Sequence, residues 1–325
     1  MYNLIGCDMS QHFLLSPAAK TLSLVKVMRM SEDAARTAFR AIRWADTDGE
    51  PVCPKCGCYE SYDLATRQVY KCKGCTKQFS ITSGTIFHGR KLQVRDILAA
   101  IAIFINGAKG YSALQLSRDL SVDYKTAFVL LHKVREAIGL ARSAGALSGN
   151  VEVDGAYFGG YVKPANERAD RKDRRKKINQ SGKRQVVIAL RERDGETKTF
   201  VGKSEAEGVA HAFANVCEGT TVHADEASHW DKLAARFPIK RINHQQAYSK
   251  DGACTNQVES FFSRIRRAEV GTHHHIAGDY LSAYAGEMAW REDMRRIANG
   301  NQFAMAVGAA LAAPKSERLC GYWQK

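Results

Sequence analysis

No apolar run in the 325 residues approaches the roughly 18 uninterrupted positions that a membrane-spanning helix needs, so no membrane role is expected. Residues Met1 to Lys26 lack the basic start, apolar middle and small-residue cleavage site of a secretory leader. A disulfide framework is also missing: the nine cysteines are odd in number, and four of them form two tight pairs, which points to a reducing cytoplasm. No internal repeat is visible. Acidic residues are scarce, with 34 Asp and Glu against 48 Lys and Arg, for a net charge of +14. The resulting pI near 9.4 attracts a polyanion, of which nucleic acid is the commonest large one. A ribosomal surface or an anionic membrane would attract the same excess.

What is present is ordinary globular material, 45% hydrophobic and 25% charged, long enough for two to four modules. Ser31 to Arg43 reads as a helix, capped by Ser31, with Ala35, Ala38, Phe39 and Ile42 on one face. Helical spacing returns at Val94 to Ile105, Ser112 to Leu120 and Asp123 to Ile138, and Gly145 to Asn150 reads as a linker. Beyond it, strands are expected at Val151 to Tyr157, Gln185 to Arg191, Thr197 to Val201, Thr220 to Ala224 and Ile239 to Asn243. Helices are expected at Glu205 to Val216, Ser228 to Arg236, Asn256 to Arg267 and Asp279 to Ala298. Strands followed by alternation with helices predict an α/β domain with a mixed sheet. The last 25 residues carry no clear pattern.

Cys53, Cys56, Cys72 and Cys75 form two C-x2-C pairs separated by fifteen residues. Two such knuckles close a tetrahedral S4 shell around Zn2+ and need almost no hydrophobic core, which predicts a small zinc ribbon. Four thiolates leave no open position for substrate, so the metal is structural. Cys58 exceeds the shell and reads as a spare thiol. The helix pair before the linker fits a helix-turn-helix, with Lys125, Thr126, His132 and Lys133 on the outer face of its second helix. Plain packing of an αα-hairpin gives the same pattern. Lys163 to Arg184 holds ten Lys or Arg and three acids, a solvated loop in which Lys172, Arg174, Arg175, Lys176 and Lys177 are candidates for DNA phosphate contacts.

In the α/β region Asp154 ends the alternation Val151, Val153 and precedes Gly155; Asp225 closes a second strand; Asn256 and Glu259 share a helix face. Oxygen ligands from several elements suit a hard cation such as Mg2+ or Mn2+, and two such ions about 3.5–4 Å apart can bind the attacking and leaving oxygens of a phosphodiester. His223, His229 and His244 are candidates for the neighbourhood of that cleft or for structural roles. His273 to His275 read as a polar loop, although a second metal site is an alternative.

The ordered set resembles insertion-sequence transposases of the zinc-ribbon type related to the Merlin elements, in the DDE, ribonuclease-H-like superfamily. The resemblance runs over roughly residues 15 to 300 and rests on Ile42-Arg43-Trp44 with the cysteines behind it, Val151-Glu152-Val153-Asp154-Gly155, His223-Ala224-Asp225-Glu226, the stretch Thr255 to Ser263, and Glu287, Trp290 and Arg291. It implies that Asp154 and Asp225 are catalytic metal ligands. The third ligand would be Asn256 or Glu259, with charge favouring Glu259. Arg266 stands in for the usual lysine, and Asp293 where Asn is expected. It further implies a multi-domain chain: an N-terminal helical region (1–50), a zinc ribbon (51–84), a helix-turn-helix-like DNA-binding region (90–143), a ribonuclease-H-like catalytic domain (148–300) and a C-terminal tail (301–325). The implied activity is Mg2+-dependent cleavage and strand transfer at terminal inverted repeats, by a homo-oligomer on double-stranded DNA in the cytoplasm, at the nucleoid when acting. Two rivals share these features: a domesticated DNA-binding regulator without catalysis, and a ribonuclease-H-like repair nuclease that needs no particular end sequence.

Overall fold

The computed structural model describes residues 13–142, 144–160, 163–173, 177–179, 181–193, 195–243, 249 and 252–322. These divide into two units: one takes 13–108, 113–137 and 294–322, the other 109–112 and 138–293.

In the first unit the helical spacing is realised as α1 (Leu24–Met28), α2 (Glu32–Arg43), α3 (Val94–Asn106), α4 (Ala113–Asp119) and α5 (Tyr124–Leu140), the last running into the second unit. The Ser31 hydroxyl accepts the Ala34 N–H at 3.1 Å, the cap that the sequence predicts for α2. Three short antiparallel strands, β1 (Ser61–Leu64), β2 (Val69–Cys72) and β3 (Gln78–Phe79), make the ribbon. Such a small sheet has little core of its own. Aromatic contacts supply one, with Tyr70 set edge-on to Trp44 at 5.9 Å and packed on Phe79 at 5.5 Å.

A further helix, α9 (Asn299–Ala312), occupies much of the stretch read from sequence as a patternless tail. It buries Ala306, Val307, Ala310 and Leu311, small side chains whose alternation with other alanines and glycines gives little hydrophobic contrast.

In the second unit, β4 (Asn150–Phe158), β5 (Gln185–Glu192), β6 (Thr197–Gly202), β7 (Thr221–Ala224) and β8 (Ile239–Arg241) form one sheet in the order β6-β5-β4-β7-β8. The β6–β5–β4 half is antiparallel and the β4–β7–β8 half parallel, a mixed sheet consistent with a ribonuclease-H-like fold. Alternation along β4 sorts its side chains. Val151 and Val153 join the core beneath α6 (Gly208–Asn215) with Val209, Ala212, Val222 and Trp230. Ala156 and Phe158 join the opposite core with Val258, Phe261 and Ile265 of α7 (Asn256–Ala268) and Leu281 and Ala285 of α8 (Leu281–Asp293). Glu152 and Asp154 share the parity of Ala156 and so face α7.

Three expected helices differ in detail. Ser228–Ala235 is a 3-10 helix rather than an α-helix. The stretch expected from Glu205 opens with a 3-10 turn, Glu205–Glu207, closed by a capping box between Ser204 and Glu207, before α6 begins. The last expected helix stops at Asp293, and Gln302 Nε2 takes the carbonyls of Met294 and Ile297 at 3.1 and 2.8 Å in the turn that follows. No helix among the described residues is long and apolar enough to cross a membrane.

Candidate active site

The ribbon brings its four cysteines together. Their sulfurs all lie within 4.8 Å of one another, with Cys53–Cys75 and Cys56–Cys72 at 3.6 Å. A tetrahedral shell with Zn–S bonds of about 2.3 Å has sulfur–sulfur edges of about 3.8 Å, whereas a disulfide needs about 2.05 Å, so the set fits zinc and not two bridges. Gly57 completes the first knuckle at φ +72°, where a side chain would be strained, and donates its N–H to the Cys53 carbonyl at 2.9 Å. The four sulfurs share protons in the metal-free set: against burial, the N–H groups of Lys55 and Cys56 and the neighbouring thiols bring Cys53 down to about 7, while against the Cys58 N–H, contacts with Cys75 and Cys72 push Cys56 up to about 12. Cys58 stands outside the set and points its sulfur at the Glu60 carbonyl.

On the α7-facing side of the sheet, β4 delivers Asp154 and the end of β7 delivers Asp225. The strands are parallel, with Glu152 opposite His223; carried two residues on, that register sets Asp225 level with Asp154. The Asp154 carboxylate accepts the Gly155 N–H at 2.7 Å, and that of Asp225 accepts the Ala227 N–H at 3.1 Å. Burial, together with the charges of Glu205, Asp225 and Glu259, pushes the Asp154 carboxyl up to about 8, with only the Gly155 N–H opposing. Four carboxylates on four elements thus act on one point.

Glu205 was not among the residues singled out from the sequence. It reads there as an ordinary acid in a helical first turn. Its side chain lies across Gly155: a Cβ built on that glycine would come 2.6 Å from Glu205 Cγ. Gly155 therefore leaves room for this carboxylate, which is held by the Gly155 N–H and by Asp154, while burial and the Asp225 charge raise its pKa. Glu259, half-buried on α7, accepts the Thr255 hydroxyl at 3.0 Å, and Asn256 is exposed at the first position of that helix. Among the described residues only the four cysteines draw three or more ligand atoms within 4.8 Å of one another. The acids form a more open arrangement. Their chemistry fits hard divalent cations: several carboxylates, one of them unwilling to ionise without a counter-charge.

The remaining candidates fall in different places. Arg266 is exposed on α7, its guanidinium 5.4 Å from the Phe158 ring. Asp293 is built into an ion-pair network: it accepts from Arg142 at 2.7 Å, Arg191 at 2.9 Å and the Thr197 hydroxyl at 2.9 Å. That explains an acid where the resemblance implies Asn. His223 is buried between Arg193 and Asn150; burial, and then the Arg193 charge, hold it down to about 4, so the ring is neutral. His229 packs against Trp230 with its rings 4.4 Å apart. His274 and His275 line a cavity of about 1090 Å3 with Lys183 and Lys203, and His244 lies outside the described residues.

Lys125 is exposed on α5, and Lys133, half-buried, has its pKa lowered by burial. Both line a cavity of about 720 Å3 with Leu319 and Tyr322. His132, expected on the outer face, is instead 3% exposed, with its ring tilted against Phe128 at 4.3 Å, because the helix turns that position inward. Lys172 is exposed in the basic stretch. Arg174, Arg175 and Lys176 lie outside the described residues, and for Lys177 only the backbone is described.

Residues 146–293 match the profile of the ISXO2-like transposase domain, and residues 30–78 match that of the transposase zinc-ribbon domain. A protein in transposable element ISH50 of Halobacterium salinarum is 25% identical over 284 residues, covering 82% of this chain and 92% of the relative. The chain is thus similar, segment by segment, to the transposase zinc-ribbon domain and then the ISXO2-like transposase domain, in keeping with the resemblance read from the sequence.

Proposed function

We propose that this chain binds the terminal inverted repeats of an insertion sequence, cuts DNA strands there and joins the freed end to target DNA. The observation that carries this reading is the crowding of Asp154 by Glu205, Asp225 and Glu259 at the edge of the central strands. Asp154, Asp225 and Glu259 would hold Mg2+ or Mn2+; Asn256, one turn earlier on α7, and Glu205 are the further donors within reach of the arrangement. Bound there, such cations make water nucleophilic near neutral pH and neutralise charge on a phosphodiester.

The chain's own task is to hold the reacting groups in line. Hydrolysis breaks the bond between the 3′ oxygen and phosphorus at the element's end, leaving a 3′-hydroxyl and a 5′-phosphate. That hydroxyl then attacks a target phosphodiester, forming one P–O bond as another breaks, with no covalent enzyme intermediate. Arg266, exposed two helical turns beyond Glu259, is suited to grip a phosphate through paired N–H groups.

Recognition falls to the other segments. The zinc ribbon (51–84) and the helix pair within 90–143, with Lys125 and Lys133, would meet the repeat; Lys172 and residues Arg174 to Lys177 would meet backbone phosphates without reading sequence. The domain at 148–300 would cut. Two ends held at once require at least two copies of the chain, acting in the cytoplasm at the nucleoid.

The test is a strand-nicking assay on duplex DNA carrying the element's end, with DNA binding measured in parallel. Asp154→Asn abolishes Mg2+-dependent nicking and leaves binding within about twofold, since a structural zinc ribbon and a separate catalytic site are lost independently. Nicking that survives the substitution, or that persists in the wild type without any divalent cation beyond zinc, overturns the reading.

A further inference from the structure

We propose that Glu152 is a positioning residue: its buried carboxylate caps α7 from the neighbouring strand and thereby sets Glu259 against Asp154 and Asp225. This rests on the metal-site reading above. The first N–H groups of a helix have no partner within it, and an N-cap side chain normally takes those at the second and third positions. The residue preceding α7 is Thr255, which makes no capping bond; its hydroxyl goes to Glu259 instead. Glu152 Oε2 does the capping, accepting the N–H of Gln257 at 2.8 Å and of Val258 at 3.1 Å. A carboxylate at this end also meets the positive pole of the helix.

Glu152 has no exposed surface, and its second oxygen is matched by Arg193 Nε at 2.8 Å. The Arg193 guanidinium reaches on to the Cys254 carbonyl at 3.0 Å and sulfur at 2.8 Å, and to His223 Nδ1 at 3.3 Å. With Nδ1 accepting from the Arg193 guanidinium, the ring proton sits on Nε2, which donates to Asn150 Oδ1 at 3.1 Å. One polar chain therefore ties together β4, β7 and the start of α7. On each it grips a residue two positions before an acid: Glu152 before Asp154, His223 before Asp225, Gln257 before Glu259. A cap placed only for helix stability has no reason to fall in that register on all three elements.

The experiment is Mn2+ binding by calorimetry to the full, zinc-loaded chain, with the half-saturating Mn2+ for nicking read alongside. Glu152→Gln keeps the volume and one acceptor but removes the charge that holds Arg193. Loss of a group that orients ligands without touching the metal costs about 10–100-fold in affinity, and both readouts move by that factor. If Glu152→Gln does not fold, Arg193→Lys is read in its place, with a shift of about tenfold in the same direction. A purely structural role lowers Tm but leaves Mn2+ affinity within about twofold of wild type, and that result overturns the proposal. Asp154→Asn separates the two levels. If it leaves Mn2+ binding untouched, the metal site itself is wrong and this inference falls with it. If it abolishes binding while Glu152→Gln and Arg193→Lys do not weaken it, Glu152 alone is misassigned.

Discussion

Asp154 sits where a carboxylate is least comfortable as an anion, half-buried and facing three others. In the unfolded chain it ionises near its ordinary 3.8, and in the folded, Mg2+-free protein near 8. Between those values the folded state holds a proton that the unfolded state has released, so raising pH through that window removes stability. Asp154→Asn should therefore have a higher Tm than wild type in zinc-loaded, Mg2+-free buffer, with a gap that widens from about pH 4 to about pH 8. Calorimetry across that range checks it; a variant less stable at pH 8 contradicts the crowding. Asp154 and Asp225 were legible because one interrupts an apolar alternation just before a glycine and the other follows directly on a short apolar strand. Glu205 and Glu152 were not. One hides behind a capping box as a first-turn acid, and the other alternates with valines like the polar face of any strand. Their roles depend on neighbours far off in sequence, and spacing alone does not report those.

The same capping device serves a second helix. The residue before α3, Gln93, makes no capping bond, and the carboxylate of Glu32 accepts the N–H groups of Val94 at 2.9 Å and Arg95 at 3.0 Å. Removing such a cap costs about 1 kcal/mol. Glu32→Ala should lose about that much in urea unfolding while Mn2+ affinity stays at the wild-type value, which sets it apart from Glu152. A coupled loss of Mn2+ binding would show that capping in general, and not the register of α7, governs the site. Helices with strong apolar stripes, such as α2 and α3, were readable from period alone. α9 was not, since alanine and glycine blur its buried face. The 3-10 character of Ser228–Ala235 leaves no mark on composition either. The mixed order of the sheet is set by long-range pairing of β4 with both β5 and β7, so the sequence supports a mixed α/β sheet without supplying its strand order.

At the scale of the whole chain, a net charge of +14 would make the proposed binding to DNA a matter of displaced counterions. Log affinity should fall linearly with log salt, and Lys125→Ala with Lys172→Ala should each reduce that slope by about one if each meets a phosphate. An unchanged slope removes that lysine from the DNA surface. Zinc ribbon and α/β domain follow one another along the chain, and the proposed chemistry requires acids from β4, β7 and α7 to meet round a cation. The most direct measurement is the position of Mn2+ in crystals of the full chain, located by its anomalous scattering. The account predicts a peak bounded by oxygens of Asp154, Asp225 and Glu259 that is lost in Asp154→Asn. Manganese bound only elsewhere, with these three side chains turned away from it, would contradict the account.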